Sequence, residues 1–266
     1  VKTAWAIMPF IDLWDEYTFQ AAEDVLGQEG VGDVRLLLVA NDCTSEELQK
    51  AEDWVATKSG SVLLWNHRPA LPALGSTWNT ALKFCWEAGV EEALVVNNDV
   101  RLHRGTHAAL KSALWHCSAL FVSAVGVTEE QFDPGTNHEL MFNEMPHPDP
   151  DPAEPQTRVG MPRGGPDYSC FLISKECHEQ FPFDPELTYF SDNDHHRQVK
   201  LGGEGERIFS VNIPYLHFSS ATINRSPEAK AEGDRAFRAH KDYYIRKWGG
   251  AVGEESFETP FGAVKQ

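Results

Sequence analysis

Positive charge is what this chain is short of. It carries 23 lysines and arginines against 40 acidic residues, a net charge of −17 and a pI near 5.0. That balance argues against tight, sequence-independent binding of duplex nucleic acid, which needs a basic footprint. An anionic ligand would need a cation or helix N-termini to offset the protein's own field. Long apolar runs are missing too: none approaches a membrane span, and the N-terminus does not read as a signal peptide. A cytoplasmic protein without a membrane span is the expectation. Paired cysteine spacings are also absent. The five cysteines (Cys43, Cys85, Cys117, Cys170, Cys177) are odd in number and form no C-x-x-C, which excludes a disulfide framework and a zinc knuckle. No internal repeat is evident.

What is present reads as alternating α/β structure. Hydrophobic residues make up 41% and charged residues 24% of 266, enough for one large α/β domain or two small ones. Buried strands are predicted at Thr3–Phe10 (ended by Pro9), Asp33–Ala40, Ser61–Trp65, the run from Ala93, Ala119–Val125, Asp167–Ile173 and Arg207–Val211. Helical spacing of Trp14, Tyr17, Ala21, Ala22 and Val25 predicts a first helix, and Thr44 or Ser45 caps a second. Trp78, Ala81, Leu82, Cys85 and Trp86 line the core face of a third, with Ser76 the expected N-cap and Gly89 just past its end. Others are expected at about 106–115, after Ser174, and from Asp192 to Gly202. The last opens Ser226-Pro227-Glu228 and closes at Trp248-Gly249. The order β-α-β-α-β implies a mainly parallel sheet with right-handed crossovers.

Residues 129–166 break this rhythm. Half of the sixteen prolines fall there, and Glu129 to Glu154 contains no lysine or arginine. A long loop is expected, either an active-site flap or a simple insertion. The domain expectation is a catalytic unit over 1–225, with a helix and tail at 226–266 packed on the same domain.

The chain is organised around Ala93-Leu-Val-Val-Asn97-Asn98-Asp99-Val100, a buried strand that stops at three polar side chains. In open α/β sheets ligands bind outside the carboxyl ends of the strands. An acid there can hold a hard cation, and the cation a diphosphate. A plain Asn/Asp turn is the other reading. Similar polar groups stand at Asn41-Asp42 and Asp192-Asn193-Asp194, and His217 follows a late strand. Singly, an aspartate at a helix start is usually a cap and a lone histidine after a strand is more often structural. His195 and His196 face different directions on a helix and make a poor metal pair.

Together, their order resembles the GT-A-fold glycosyltransferases, in particular family 2 enzymes of bacterial and phage type. The residues that carry the resemblance are Ala6-Ile-Met-Pro9, Val39-Ala-Asn-Asp42, Ser76-Thr-Trp-Asn79, Leu94-Val-Val-Asn-Asn-Asp99, Phe183-Asp-Pro-Glu-Leu-Thr-Tyr-Phe-Ser-Asp192-Asn-Asp194, Tyr215-Leu-His217-Phe and Tyr243-Tyr-Ile-Arg-Lys-Trp248. Asn97 replaces the first acid of the family's D-x-D motif, and Ser191 a glutamate that often precedes the acceptor-side aspartate.

The resemblance implies a GT-A, Rossmann-like mixed sheet and a metal-dependent, inverting glycosyltransferase using a nucleotide-diphosphate sugar, a UDP-sugar above all. The donor would lie against Pro9, Phe10, Asp42, Ser76, Asn79, Asn97, Asn98 and Asp99, with Asp42 accepting from the nucleobase. Asp99 and His217 would hold the divalent metal, Mn²⁺ or Mg²⁺, the imidazole favouring manganese. Asp192 would be the general base, with Asp194 the fallback, and the helix dipole at Asp192 is expected to lower its pKa. The acceptor, a glycan or a DNA base or nucleotide among others, is left open, as is the oligomeric state. Two rival readings are a catalytically inactive nucleotide-sugar-binding module and a metal-dependent diphosphate hydrolase.

Overall fold

The computed structural model describes residues 3–132, 162–218 and 225–263. Its strands are β1 (Ala4–Phe10), β2 (Val34–Asn41), β3 (Val62–His67), β4 (Glu92–Val96), β5 (Val100–Arg101), β6 (Phe121–Val127), β7 (Pro162–Gly164), β8 (Cys170–Ser174) and β9 (Ile208–His217). Its helices are α1 (Phe19–Leu26), preceded by a π turn at Trp14–Thr18, α2 (Ser45–Ala56), α3 (Leu74–Glu87), α4 (Thr106–His116), α5 (Lys175–Gln180), α6 (Ser191–Leu201) and α7 (Pro227–Trp248).

The strands form one sheet in the order β3-β2-β1-β4-β8-β6-β9-β5, with β7 on β9. The half from β3 to β4 is wholly parallel. Beyond β4 the sheet is mixed: β8 is antiparallel to β4 and β6, while β6 and β9 are parallel. The mixed, Rossmann-like α/β architecture follows from strands that are apolar on both faces. In β1, Ala4, Ala6, Met8 and Phe10 enter the core layer beneath α1, α2 and α4. Trp5 and Ile7 enter the opposite layer beneath α3 and α5. The period-two alternation of strand side chains thus feeds two cores from one sheet. Trp78 and Trp86 sit in the second layer, as helical spacing predicts.

The chain runs outward from β1 to β3, then returns to lay β4 on the other side of β1. The strand order therefore reverses between β1 and β4, and the crevice outside their carboxyl ends is the expected ligand position.

Two features differ from the sequence reading. β9 continues past Val211 through Pro214 to His217; a register shift against β6 between Ser123 and Val125 absorbs the proline. α3 begins at Leu74 with Ala73 as its N-cap, so Ser76 lies within the first turn and does not cap it. Its first amides are instead satisfied by a neighbouring segment: Leu74 N donates to Thr188 Oγ1 (3.1 Å) and Gly75 N to Leu187 O (3.0 Å). Most of the proline-rich loop, 133–161, lies outside the described residues. No helix among them is long and apolar enough to cross a membrane, and all five cysteines are free thiols.

Candidate active site at the strand tips

Beyond β4 the chain turns through Asn97-Asn98-Asp99 into β5, which pairs antiparallel with the end of β9: Val100 opposite His217, Arg101 opposite Leu216. Phe218 N donates to Asp99 O (2.9 Å), closing the pair. Asp24 on α1 holds β5 from beneath, accepting from Arg101 Nε (2.6 Å) and Leu102 N (3.0 Å). This frame brings Asp99 Oδ1 to 3.5 Å from His217 Nε2. Asp99 is 6% exposed and His217 half-buried. Burial lowers the imidazole pKa, but the hydrogen bond and charge of Asp99, joined by Asp167, outweigh it and raise the pKa overall.

Carboxylate and imidazole ligands about 2.1 Å from a divalent ion, at right angles, stand about 3 Å apart. The Asp99–His217 pair fits that spacing. Among the described residues no group of three His, Cys, Asp or Glu could hold a metal. Among the described residues Asp99 and His217 are the two that would serve as ligands.

The other predicted donor residues divide. Asp42 is exposed at the tip of β2 in a left-handed conformation (φ 64), its amide donating to His67 O (3.2 Å). Pro9 lies half-buried in β1, paired with Val39, and Asn97 is half-buried with its amide on Ser169 O (2.9 Å). Phe10, in contrast, is a core side chain packed on Trp14. Asn98 is buried and donates to Thr18 Oγ1 (2.9 Å), which fastens the π turn to the β4 tip. Asn79 points to the α5 side. It donates to Phe183 O (2.7 Å) and accepts from Phe183 N (3.0 Å). Its Oδ1 also lies 2.9 Å from His178 Nε2, whose Nδ1 accepts from Trp86. Both side-chain polar atoms of Asn79 thus have partners within the fold.

The two acids of α6 also part company. Asp192, on the helix's second residue, is exposed to solvent. Protein crowding around it desolvates the carboxylate, and Asp167 adds like charge; these outweigh the helix amides and raise its pKa. This reverses the expected lowering, because crowding is a tertiary effect that the helix position does not reveal. Asp194 is 0% exposed. It accepts from Lys247 Nζ (2.6 Å), Trp248 Nε1 (2.8 Å) and Gln198 Nε2 (2.7 Å), while Lys247 also meets Asp184 at 2.6 Å. The fallback base is therefore a sealed structural group without a path to an acceptor. Arg197, one turn further along α6, reaches Phe257 O (2.6 Å) and Glu255 (3.5 Å) and not Asp194.

Sequence reasoning missed Asp167. Its Oδ2 accepts from Tyr215 Oη (2.8 Å) and Gly126 N (3.3 Å), its Oδ1 from Ser169 N (2.9 Å), and its own amide donates to Ser123 Oγ (2.7 Å). It is also close enough to His217 and Asp192 to raise the pKa of both. One carboxylate thereby ties β6, β9 and the lead into β8 together between the metal-ligand pair and the candidate base. No sequence motif marks it.

No family model matches the chain, and no curated protein matches it in sequence. Solved structures do match. S. aureus TarS 1-349 superposes with a TM-score of 0.55 at 16% identity, over 92% of this chain and 70% of that one. The mannosyltransferase PcManGT from Pyrobaculum calidifontis, in complex with GDP-Man and Mn²⁺, gives 0.55 at 12% identity, over 87% and 64%. GalNAc-T7 with UDP, GalNAc and Mn²⁺ gives 0.58 at 11% identity, over 81% and 43%. The chain has the GT-A fold. Within that fold, the β1/β4 switch point and the Asp99–His217 pair lie at the carboxyl edge of one sheet.

Proposed function

We propose that this chain is a metal-dependent, inverting glycosyltransferase, of family 2-like bacterial or phage type, that moves a sugar from a nucleotide-diphosphate sugar to an acceptor hydroxyl. The observation that carries the proposal is the meeting of Asp99 and His217 at 3.5 Å beside the switch point of a GT-A sheet. Residues 118 positions apart are brought together by a two-residue strand, Val100–Arg101. TarS is known in complex with UDP and with UDP-GlcNAc, and PcManGT with GDP-Man and Mn²⁺, which supports a nucleotide-sugar donor and a divalent ion here.

Asp99 and His217 would hold the metal, Mn²⁺ before Mg²⁺ because one ligand is an imidazole. When bound, it supplies Lewis-acid neutralisation of the leaving diphosphate. Asp42 would accept from the nucleobase at the far end of the crevice, with a UDP-sugar the first donor to test. Asp192 would take the acceptor hydroxyl's proton. Its raised pKa makes it a stronger base than an ordinary aspartate. A base on the face opposite the leaving group implies displacement with inversion.

Incubation with a panel of UDP- and GDP-sugars and Mn²⁺, followed by mass spectrometry against an acceptor panel, tests this reading. Metal-stimulated transfer is expected. Donor binding without turnover would instead make the chain a nucleotide-sugar-binding module. Release of sugar independent of any acceptor would make it a diphosphate hydrolase.

A further inference from the structure

The segment leading to Asp192 is aromatic, and α7 adds to it. Phe237 on α7 lies over Tyr189 (ring centroids 5.4 Å) and Phe190 (5.2 Å). Phe190 packs on Tyr244 (5.6 Å) and Tyr189 on His240 (5.8 Å). His240 Nδ1 accepts from the amides of Thr188 and Tyr189 (both 3.2 Å), locking the backbone under the cluster. The packing leaves one large apolar surface in the open: Phe237 is 44% exposed, while Tyr189 and Phe190 are half-buried. Phe190 is held in a left-handed conformation (φ 66), which a bulky residue adopts only when its surroundings impose it. It is also the N-cap of α6, two residues before Asp192.

We propose that Tyr189, Phe190 and Phe237 form an acceptor platform on which a neutral saccharide ring stacks, one sugar unit beyond the ring whose hydroxyl meets Asp192. The proposal rests on the glycosyltransferase reading and gives it an acceptor class. Aromatic faces carry a partial negative charge that attracts the polarised C–H groups on the apolar face of a pyranose. The charges around the cluster favour a neutral, hydroxyl-rich partner over a polyanion. Asp234 is close enough to Tyr189, and Asp184 and Glu186 to His240, to act on their pKa values. Arg235 and Arg238 flank Phe237 in the sequence, and Lys241 follows one helical turn on. This mixed rim has no single sign to recruit a polyanion, and it offers both donors and acceptors to sugar hydroxyls.

Phe237→Leu keeps apolar bulk and removes the ring, whereas Phe237→Tyr keeps the ring. With a donor and saccharide acceptor used by the wild type, Phe237→Leu is expected to raise the acceptor KM several-fold to about tenfold. The donor KM, acceptor-independent donor hydrolysis and Tm should stay unchanged, and Phe237→Tyr should restore the acceptor KM. An unchanged acceptor KM, a joint fall of Tm and donor hydrolysis, or a change of oligomeric state would each overturn the platform, leaving a helix staple or a self-contact. A second readout needs no turnover: saturation-transfer NMR with the methyl β-glycosides of glucose, galactose and N-acetylglucosamine. Transfer from wild-type aromatic protons that is lost in Phe237→Leu supports the platform, even if no donor is turned over and the glycosyltransferase reading fails. Absence of transfer from the wild type, alongside acceptor KM values indifferent to Phe237, sinks the platform and leaves that reading standing.

Discussion

Asp192 and Asp194 stand two residues apart on α6 in opposite surroundings, so replacing each with asparagine separates chemistry from structure. Asp192→Asn should cut the transfer rate by about 10²–10⁴-fold, the usual contribution of a positioned general base. Its stability effect has a definite sign. A carboxyl whose folded pKa is raised favours the folded state when protonated, and that contribution is lost as pH rises through the folded pKa. At neutral pH Asp192 therefore opposes folding, and Asp192→Asn should hold or raise Tm. Asp194→Asn should do the reverse: Lys247 keeps Asp184, but a charged hydrogen-bond network is broken, at about 1.5–3 kcal/mol. Thermal melts and single-turnover rates on both variants test this, and a dead but stable Asp194→Asn would swap the roles. The same base sets the pH profile. Activity should rise with pH through a pKa above that of an ordinary aspartate, and Asp167→Asn, by removing a like charge, should move that acid limb to lower pH. An acid limb unmoved by Asp167→Asn would detach Asp167 from the base. Asp99→Ala should abolish metal-stimulated turnover with little loss of Tm, because among the described residues the one side chain its carboxylate meets is His217; His217→Ala should weaken metal binding less. Full, metal-responsive turnover in Asp99→Ala would remove the metal assignment. Much of this site was legible in the sequence, because strand tips ending in Asp, Asn or His are local signals. Asp167 and the sealing of Asp194 were not, because both depend on contacts from 48 and 53 residues away.

At the scale of elements, strands and helices announced themselves through period-two and 3.6-residue patterns, and their caps mostly followed. Thr44, Ser174 and Ser226 each accept from the amide three residues on, as their sequence settings predict. α3 is the exception. Ser76 looks like a cap, yet the helix opens two residues earlier, because residues 184–188 reach across to take its first amides. Gly75 is the residue that allows this approach. A Cβ there would lie 2.2 Å from Asp184 O and 3.1 Å from Leu187 O. Gly75→Ala is therefore expected to destabilise the fold by about 1–3 kcal/mol or more, as overpacking does, although alanine is the better helix former. A higher Tm for Gly75→Ala in a thermal melt would show that the 184–188 segment is free to move away. β9 failed to announce its length for a related reason: Pro214 reads as a strand end, and only pairing with β6 and β5 reveals that the strand runs on to His217.

At the scale of the whole molecule, the central question is whether 226–266 is part of the folding unit or an appendage to 1–225. The contacts argue for the first. Lys247 is buried between Asp184 and Asp194, Trp248 donates to Asp194, and Tyr243 donates to Asp184 (3.0 Å). Arg197 on α6 reaches past α7 to Glu255 and Phe257. A chain ending at residue 225 would leave Asp184 and Asp194 buried with no cation between them. It would also strip the cover from Phe190 and the backs of α6 and the 184–188 segment. Breaking a buried ion pair from one side costs about 3–5 kcal/mol, a large part of the roughly 5–15 kcal/mol that keeps a typical domain folded. The truncated chain is expected to be insoluble or to melt without a cooperative transition, whereas the full chain should unfold in a single calorimetric transition. The loss would reach the chemistry as well, because α6 carries Asp192 and the 184–188 segment fixes the start of α3. A 1–225 chain that melts cooperatively near the full-length Tm and still turns over donor would make the C-terminal helix an appendage. Activity on the acceptor would then be the property to compare, since α7 also supplies Phe237.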